Sequence, residues 1–180
     1  MFDKRTLQRI RVPLGFIFAA VFFIFAKPTV MTLVVGGVIA LAGVAIRAWA
    51  SGHIRKAKTL AVSGPYARTR NPLYVGSFIL GLGFTVAAGV WWLALLFIAL
   101  FLGIYLPVML TEARDMQRIF GAEFEEYSQR VPLFLPRLTS WKSAAGKFDF
   151  QLYLQYREYR AALGAAVAIL ALATKVYLLG

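Results

Sequence analysis

The stretch from Gly64 to Gly76 reads Gly-Pro-Tyr-Ala-Arg-Thr-Arg-Asn-Pro-Leu-Tyr-Val-Gly. Its Gly-Pro opening forms a turn, and a residue that precedes proline avoids the α region, so Asn71 ends a loop and Pro72 begins a helix. No charged side chain occurs again until Glu112. The sequence therefore predicts a cationic loop at a membrane surface that leads directly into a membrane-spanning helix. The cations of this loop are Arg55, Lys56, Lys58, Arg68 and Arg70.

Composition places the chain among integral membrane proteins. Its 180 residues are 60% hydrophobic and 15% aromatic, with a mean hydropathy of +0.69, which is too apolar for a soluble domain. The formal net charge is +12, but the cations lie between apolar stretches, a pattern typical of membrane orientation and not of nucleic-acid binding. Without cysteine, and with His53 as the single histidine, the chain is not expected to bind a metal cofactor.

We predict an all-α protein with about five transmembrane helices. The first, short helix runs from Val12 to Ala26 and the second from Thr29 to Trp49. The uncharged stretch 71–111 is too long for one crossing, so Ala87-Ala88-Gly89 is expected to divide it into a hairpin with two halves of membrane-spanning length. The second helix carries a stripe of small residues suited to close helix packing, formed by Gly36, Gly37, Ala40 and Gly43.

The polar stretch after Thr111 predicts an amphipathic helix at the membrane surface, which Pro132 and Pro136 end. Its apolar residues recur at helical spacing and are Met116, Ile119, Phe120, Phe124 and Tyr127. A basic connector, 137–147, follows. Residues 148–160 fit a strand or a helix, and we expect one helix continuing to Leu179, because an isolated strand would leave unpaired backbone at the bilayer boundary.

Orientation follows from the cations. Of the 20 lysines and arginines, only Lys27 and Lys175 fall on the side away from the N-terminus, and all eight acidic residues share the N-terminal side. The positive-inside rule makes that side cytoplasmic. We expect three regions: a two-helix segment (1–50), a core with loop, hairpin and amphipathic helix (51–137), and a connector with the last helix (138–180).

The chemistry available on the cytoplasmic face suits a zwitterionic ligand. An antiparallel hairpin makes the loop and Glu112 neighbours. Guanidinium and amide donors can hold a carboxylate, Glu112 can hold an ammonium, and tyrosine faces can stabilise a sulfonium. S-adenosylmethionine is such a ligand. No Gly-x-Ser-x-Gly elbow is present, which makes hydrolysis a poor alternative.

The motifs also resemble a known family. The 64–76 stretch, Glu112, Phe120-Gly-Ala-Glu-Phe-Glu-Glu-Tyr127 and Val131-Pro-Leu-Phe-Leu-Pro136 are similar to the C-terminal signature of the isoprenylcysteine carboxyl methyltransferase family and its bacterial relatives. The resemblance covers residues 60 to 137. It implies a methyltransferase of the bacterial inner membrane without a Rossmann domain, with S-adenosylmethionine in a cytoplasmic pocket and access from the lipid bilayer for a lipophilic acceptor.

Two departures concern the acceptor. Most of that family has Arg-His-Pro where this chain has Arg70-Asn71-Pro72, and often has paired glutamates where this chain has Glu112-Ala113. The Asn-Pro-x-Tyr-x-Gly form resembles the phospholipid N-methyltransferases instead. The acceptor group therefore stays open between carboxylate, thiol and amine, and oligomeric state is not predicted.

On this resemblance, site roles are assigned as follows. Arg70, Asn71 and Glu112 are the expected catalytic residues, with Arg70 meeting a carboxylate. The expected cofactor wall comprises Tyr66, Asn71, Pro72, Leu73, Tyr74, Val75 and Glu112. Arg68 and His53 are candidates for the polar end of the acceptor. The alternatives are orientation by the arginines and interfacial anchoring by the tyrosines, in a non-catalytic membrane protein or a sterol-reductase-like enzyme on the same scaffold.

Overall fold

The structure is a computed structural model that describes residues 4–54, 59–141 and 146–179. The predicted loop residues Arg55, Lys56 and Lys58, and part of the basic connector, lie outside these ranges. The described residues form seven α-helices and one short 3₁₀ turn, Gly64–Ala67, with no strand among them. This confirms the all-α class. The helices are α1 (Lys4–Phe25), α2 (Val30–Ser51), α3 (Pro72–Ala87), α4 (Trp91–Phe120), α5 (Ala122–Arg130), α6 (Phe150–Gln155) and α7 (Tyr159–Leu179).

Three helices, α2, α4 and α7, are long and apolar enough to cross a bilayer, and α1 and α3 contribute shorter apolar segments. Large apolar side chains on the outer surface of the helices remain exposed, as expected for a protein that faces lipid. Examples are Phe16, Met31, Trp91 and Val167. The fold is that of an all-α membrane protein, and the number of crossings stays a prediction.

Helices α2 and α3 form the closest contact of the fold, because glycines bring their backbones together. A Cβ added at Gly43 would overlap the backbone of Leu80 and Gly76, and one at Gly83 would overlap the backbone of Ala40. The predicted packing stripe is therefore present, with Gly36, Ala40 and Gly43 buried. Gly37 was wrongly included, since a Cβ there meets nothing within 4 Å.

The hairpin turns where predicted, at the end of the molecule away from the 64–76 loop. Gly89 has a φ of +68°, and its neighbour Ala88 accepts a hydrogen bond from the Lys27 amide at 2.8 Å. The Lys175 ammonium donates to the last carbonyls of α1, those of Phe23 and Ile24, at 2.7 and 3.1 Å. A lysine at a helix C-terminus satisfies orphan carbonyls and complements the helix dipole. These contacts join α1, α7 and the hairpin turn at one end.

Helix lengths differ from prediction in the hairpin. Helix α3 has 16 residues, about 24 Å, whereas α4 has 30 residues, about 45 Å. The two halves of the hairpin are therefore unequal. The prediction of a separate amphipathic helix after Thr111 is wrong in its first half, because residues 112–120 are helical but continue α4. Nothing breaks that helix before Gly121, whose φ is +53°. Only α5 is a separate polar helix, and Val131 ends it just before Pro132.

The ends of the chain also depart from prediction. Helix α1 starts at Lys4 and runs through Pro13, so it begins before the apolar run. Within residues 148–160, Phe150–Gln155 form α6 and α7 begins at Tyr159, so the stretch is mainly helical but is not one continuous helix. The helix breaks after Gln155, because Arg157 adopts a φ of +55° and the Glu158 amide turns back to the Tyr153 carbonyl. This break places Glu158 against α2.

The orientation stays a prediction that labelling tests. Because the chain lacks cysteine, Leu138→Cys and Trp91→Cys each introduce a single thiol, at residues that are 92% and 75% exposed. We expect a membrane-impermeant maleimide to label Leu138→Cys only from the cytoplasmic side and Trp91→Cys only from the opposite side. Ala88, nearer the turn, is fully buried and unsuitable. Labelling of both variants from the same side would refute the predicted topology.

Candidate active site

A cavity of about 540 Å³ opens at the loop end of the hairpin. Its volume falls within the usual range of small-molecule sites, about 300 to 1,000 Å³. Five parts of the chain enclose it: the end of α2, the loop before α3, the first turn of α3, the continuation of α4 with α5, and the segment that follows α5. The lining residues are Arg47, Ile54, Thr59, Leu60, Ala61, Tyr66, Arg70, Asn71, Leu73, Tyr74, Glu112, Ala113, Asp115, Met116, Phe120, Phe124, Tyr127 and Leu133.

The loop before α3 is held by the segment after α5. The Arg70 amide donates to the Pro132 carbonyl at 2.9 Å, and the Arg137 amide donates to the Arg68 carbonyl at 3.0 Å. Between them, the Thr69 hydroxyl donates to the Phe134 carbonyl at 2.8 Å. These hydrogen bonds hold the loop against residues 132–137, since each segment satisfies backbone groups of the other.

Asn71 takes part in the same connection. Its Nδ2 donates to the Leu133 carbonyl at 2.9 Å, and its own carbonyl accepts from the amides of Tyr74 and Val75 at 3.0 Å. Its side chain makes no capping hydrogen bond to α3. Asn71 therefore begins α3 through its backbone and fixes the opposing loop through its amide group, while it also lines the cavity.

Glu112 and Tyr74 meet across the hairpin as predicted. The Tyr74 hydroxyl donates to Glu112 Oε1 at 3.0 Å, and both residues line the cavity. The Tyr74 ring lies 5.4 Å from that of Tyr105, which stacks on Phe101. One carboxylate oxygen is thus oriented by a phenol, and an aromatic wall stands beside it.

Arg70 lines the cavity with its guanidinium 5.8 Å above the Phe124 ring. Burial lowers its pKa from the ordinary value, although the neighbouring Tyr127 opposes that shift. Because the guanidinium group is not deprotonated in proteins near neutral pH, Arg70 stays cationic. Its Nε is buried with no acceptor among the described residues. A cation held this way can meet an anionic group of a ligand.

Tyr66 and Tyr127 close the floor of the cavity. The Tyr127 hydroxyl donates to the Tyr66 carbonyl at 2.7 Å, and both side chains are buried. Burial raises the pKa of each phenol well above its ordinary value. Both therefore remain neutral at physiological pH and cannot serve as phenolate bases. Behind them, Tyr127 packs with Phe124 and Val131 in a small apolar core.

Four residues of the predicted site lie away from the cavity. Pro72 and Val75 are buried in the start of α3 and support its wall from behind. Arg68 is exposed and does not line the cavity. The His53 ring nitrogens lie 2.9 Å from the Trp49 carbonyl and 3.1 Å from the Gly146 carbonyl, so the histidine is engaged by backbone outside the cavity.

Arg47 is one of the lining residues that sequence analysis did not assign to the site. It lies within the apolar run of α2, and its partner Glu158 is far along the chain. Arg47 Nη2 donates to both carboxylate oxygens of Glu158 at 2.9 and 2.8 Å. Nη1 donates to the Ser77 hydroxyl and, at 3.5 Å, to the Leu73 carbonyl. The sequence signal for Arg47 was weak, because an arginine near the end of an apolar helix usually extends its charged group to the membrane interface.

Comparison with known proteins identifies the family of the chain. The sequence profile of the phospholipid methyltransferase family matches residues 29–123, more than half of the chain. The chain belongs to this family. The matched region includes the loop, the hairpin and Glu112, whereas the segment that holds the loop and the α6–α7 break lie beyond it.

Two curated relatives are similar. The chain is 38% identical to the cobalt-zinc-cadmium resistance protein CzcN of Cupriavidus metallidurans over 144 residues, which cover 73% of this chain and 64% of that protein. It is also 38% identical to the nickel-cobalt-cadmium resistance protein NccN of Alcaligenes xylosoxydans over 101 residues, 54% of this chain and 46% of that protein. The chain thus spans about half to two thirds of their length. No solved structure is significantly similar.

Proposed function

We propose that this protein is a membrane-embedded methyltransferase that uses S-adenosylmethionine and acts on a lipophilic acceptor. The observation that carries the proposal is the meeting of Arg70, Asn71, Tyr74 and Glu112 around one cavity. This cavity lies within a chain of the phospholipid methyltransferase family. We further propose residues 51–137 as the core, with Arg47 contributed from the preceding segment.

The cofactor's amino-acid end matches the charges of the cavity. Arg70 would hold its carboxylate, and the free oxygen of Glu112 would hold its ammonium group, while Tyr74 orients that carboxylate through the bond at 3.0 Å. Hydrogen bonds between charged partners are stronger than neutral ones. The aromatic faces of Tyr66 and Tyr74 would stabilise the sulfonium by cation–π attraction.

Methyl transfer from a sulfonium needs little help from an acid or base. The acceptor's lone pair forms the new bond to carbon, and the carbon–sulfur bond breaks with its electron pair going to sulfur, which leaves S-adenosylhomocysteine. An amine acceptor also releases a proton to solvent. The buried Tyr66 and Tyr127 do not supply a base, and Asn71 does not titrate. Positioning in the cavity would therefore supply most of the rate enhancement.

The names of the two relatives refer to metal resistance in those proteins. Among the residues that the structure describes, no group of three or more His, Cys, Asp or Glu is arranged to hold a metal ion. We therefore propose no metal-binding function as a second candidate.

Calorimetry tests the proposal directly. The protein, purified in a neutral detergent, is expected to bind S-adenosylmethionine and S-adenosylhomocysteine. In a separate assay with a labelled methyl donor, we expect it to transfer the methyl group to at least one member of a panel of lipophilic carboxylates, thiols and amines. Failure to bind either compound at millimolar concentration would overturn the proposal. Binding of a nicotinamide cofactor in their place would support the sterol-reductase-like alternative.

Asn71 provides a prediction that separates positioning from acid-base chemistry. Asn71→Leu removes the donor at 2.9 Å from the Leu133 carbonyl and leaves this partly buried acceptor with only the long hydrogen bond from the Thr69 hydroxyl at 3.5 Å, at a cost of about 1 to 3 kcal/mol. We expect this variant to lose stability by that amount and most of its cofactor affinity. Asn71→His can still donate a hydrogen bond, so it should retain binding.

The measurements are thermal unfolding and cofactor titration of both variants, and methyl transfer assayed at a cofactor concentration raised to offset the weaker binding. Any pH dependence of methyl transfer between about pH 6 and 9 should persist in Asn71→Leu, since asparagine does not titrate. Full activity and affinity in Asn71→Leu would show that Asn71 only shapes the start of α3.

A further inference from the structure

The cavity wall contains a second carboxylate, that of Asp115, to which the proposed function gives no role. Asp115 is half-buried and lies on α4 one turn past Glu112, about 4.5 Å further along the helix axis toward Gly121. The two oxygens of a carboxylate offer about four lone-pair sites, so such a group can keep a partner from the chain and still accept hydrogen bonds from a ligand.

The cavity face of α4 changes in character along its length. Its lining residues recur at the spacing i, i+3, i+4 and i+8, which places them on one side of the helix. They are Glu112, Asp115, Met116 and Phe120. The last of them lies about 12 Å along the axis from the first. The wall is therefore anionic near Glu112 and becomes apolar toward the end of α4.

The apolar end of the cavity is suited to a planar ring. Leu60, Met116 and Phe120 all pack against the small core that contains Phe124, and all four residues line the cavity. Aromatic and thioether side chains make favourable contacts with the faces and edges of aromatic rings. A purine base could bind here through its faces.

The order of these groups matches the order of the parts of S-adenosylmethionine. With the amino-acid end at Arg70 and Glu112, the ribose comes next along the wall and the adenine last. Acidic side chains bind ribose hydroxyls in dinucleotide-binding proteins, where the hydroxyl donates to the carboxylate. The opposite direction along α4 leads to Tyr105 and the apolar part of the helix, which leaves that side to a lipophilic acceptor.

We infer that Asp115 accepts hydrogen bonds from the ribose hydroxyls of the cofactor and that the adenine ring lies beside Leu60 and Phe120. The inference rests on the proposed function and deepens it, because it fixes the direction of the cofactor in the cavity. The adenine points toward the end of α4, and the sulfonium lies near Tyr74. A site that pairs with hydroxyl groups rejects an analogue that lacks them, since the carboxylate then loses its donors.

The test measures recognition of the ribose separately from binding of the amino-acid end. Adenosine and its dideoxy analogue, which lacks both ribose hydroxyls, are titrated calorimetrically into the full chain in neutral detergent. We expect the wild type to bind adenosine about tenfold or more tightly than the analogue, because hydrogen bonds to a charged acceptor are strong.

Variants of Asp115 show whether its carboxylate is the group that recognises the ribose. Asp115→Asn keeps the size of the side chain but removes its charge, and should reduce the preference for adenosine to about threefold or less. Asp115→Ala removes both oxygens and should abolish the preference. The matched controls are Glu112→Gln, one turn away in the same wall, and Glu123→Gln, which changes an exposed residue outside the cavity. Both should keep the full preference.

The inference is overturned if the wild type binds both nucleosides equally, if Asp115→Ala keeps the preference, or if Glu112→Gln loses it. Melting temperatures are recorded for every variant. Unfolding of both Asp115 variants would also overturn the inference, since it would assign Asp115 to the stability of the fold.

The proposed function fails by a different result. A protein that binds adenosine with the hydroxyl preference, but binds neither S-adenosylmethionine nor S-adenosylhomocysteine, would keep the nucleoside site and refute the methyltransferase. A protein that binds S-adenosylmethionine while Asp115→Ala retains the preference for adenosine would keep the methyltransferase and refute the role of Asp115.

Discussion

Glu112→Gln is expected to weaken the binding of S-adenosylmethionine roughly 10- to 150-fold, equivalent to about 1.5 to 3 kcal/mol. Glutamine keeps the size of the side chain. It also keeps an oxygen that can accept the hydrogen bond from the Tyr74 hydroxyl, which is 3.0 Å long in the wild type. It removes the negative charge that would hold the cofactor's ammonium group. Stability should therefore change little while affinity falls, which a purely structural role for Glu112 does not predict.

Titration calorimetry of the two proteins measures this effect, with the melting temperature recorded beside it. The matched control is Glu123→Gln, which removes an exposed carboxylate on α5 outside the cavity and should leave affinity at the wild-type value. If Glu112→Gln binds the cofactor as tightly as the wild type, Glu112 does not belong to the cofactor site.

The second large effect is expected at Gly43, where a single methyl group should lower the free energy of unfolding by roughly 3 kcal/mol. The added Cβ of Gly43→Ala would overlap the backbone of Leu80 and Gly76, and backbone atoms of two packed helices cannot move aside as a flexible side chain can. Helix α2 would have to move away from α3. Since Arg47 lies one turn further along α2, the cavity wall would also shift.

Gly37→Ala is the matched control on the same helix. Its Cβ meets nothing within 4 Å, and alanine is favoured over glycine within a helix by about 0.5 to 1 kcal/mol, so this variant should be as stable as the wild type or slightly more stable. Thermal unfolding in detergent compares the two. Equal melting temperatures for Gly43→Ala and Gly37→Ala would show that α2 and α3 do not approach as closely as described.

The membrane class, the hairpin and the meeting of Glu112 with the loop could be predicted from the sequence. Each depends on local information: the long uncharged stretch 71–111, the break at Ala87-Ala88-Gly89, and the antiparallel geometry that any hairpin imposes. The family is confirmed by comparison. The lengths of the hairpin helices were harder to predict, because charge pattern marks where an apolar surface ends, whereas a helix ends only at a conformational break such as Gly121.

Which side chains line the cavity was decided by tertiary structure. Pro72 and Val75 belong to the quoted motif, yet helical periodicity turns them behind the wall, while Leu73 and Tyr74 face the cavity. His53 and Arg68 were candidates by residue type alone, and residue type does not specify whether a side chain points into the cavity. The sequence by itself determined the elements and their polarity. Only tertiary structure paired Arg47 with Glu158, because residues 111 positions apart meet through the packing of helices whose local sequences carry no information about each other.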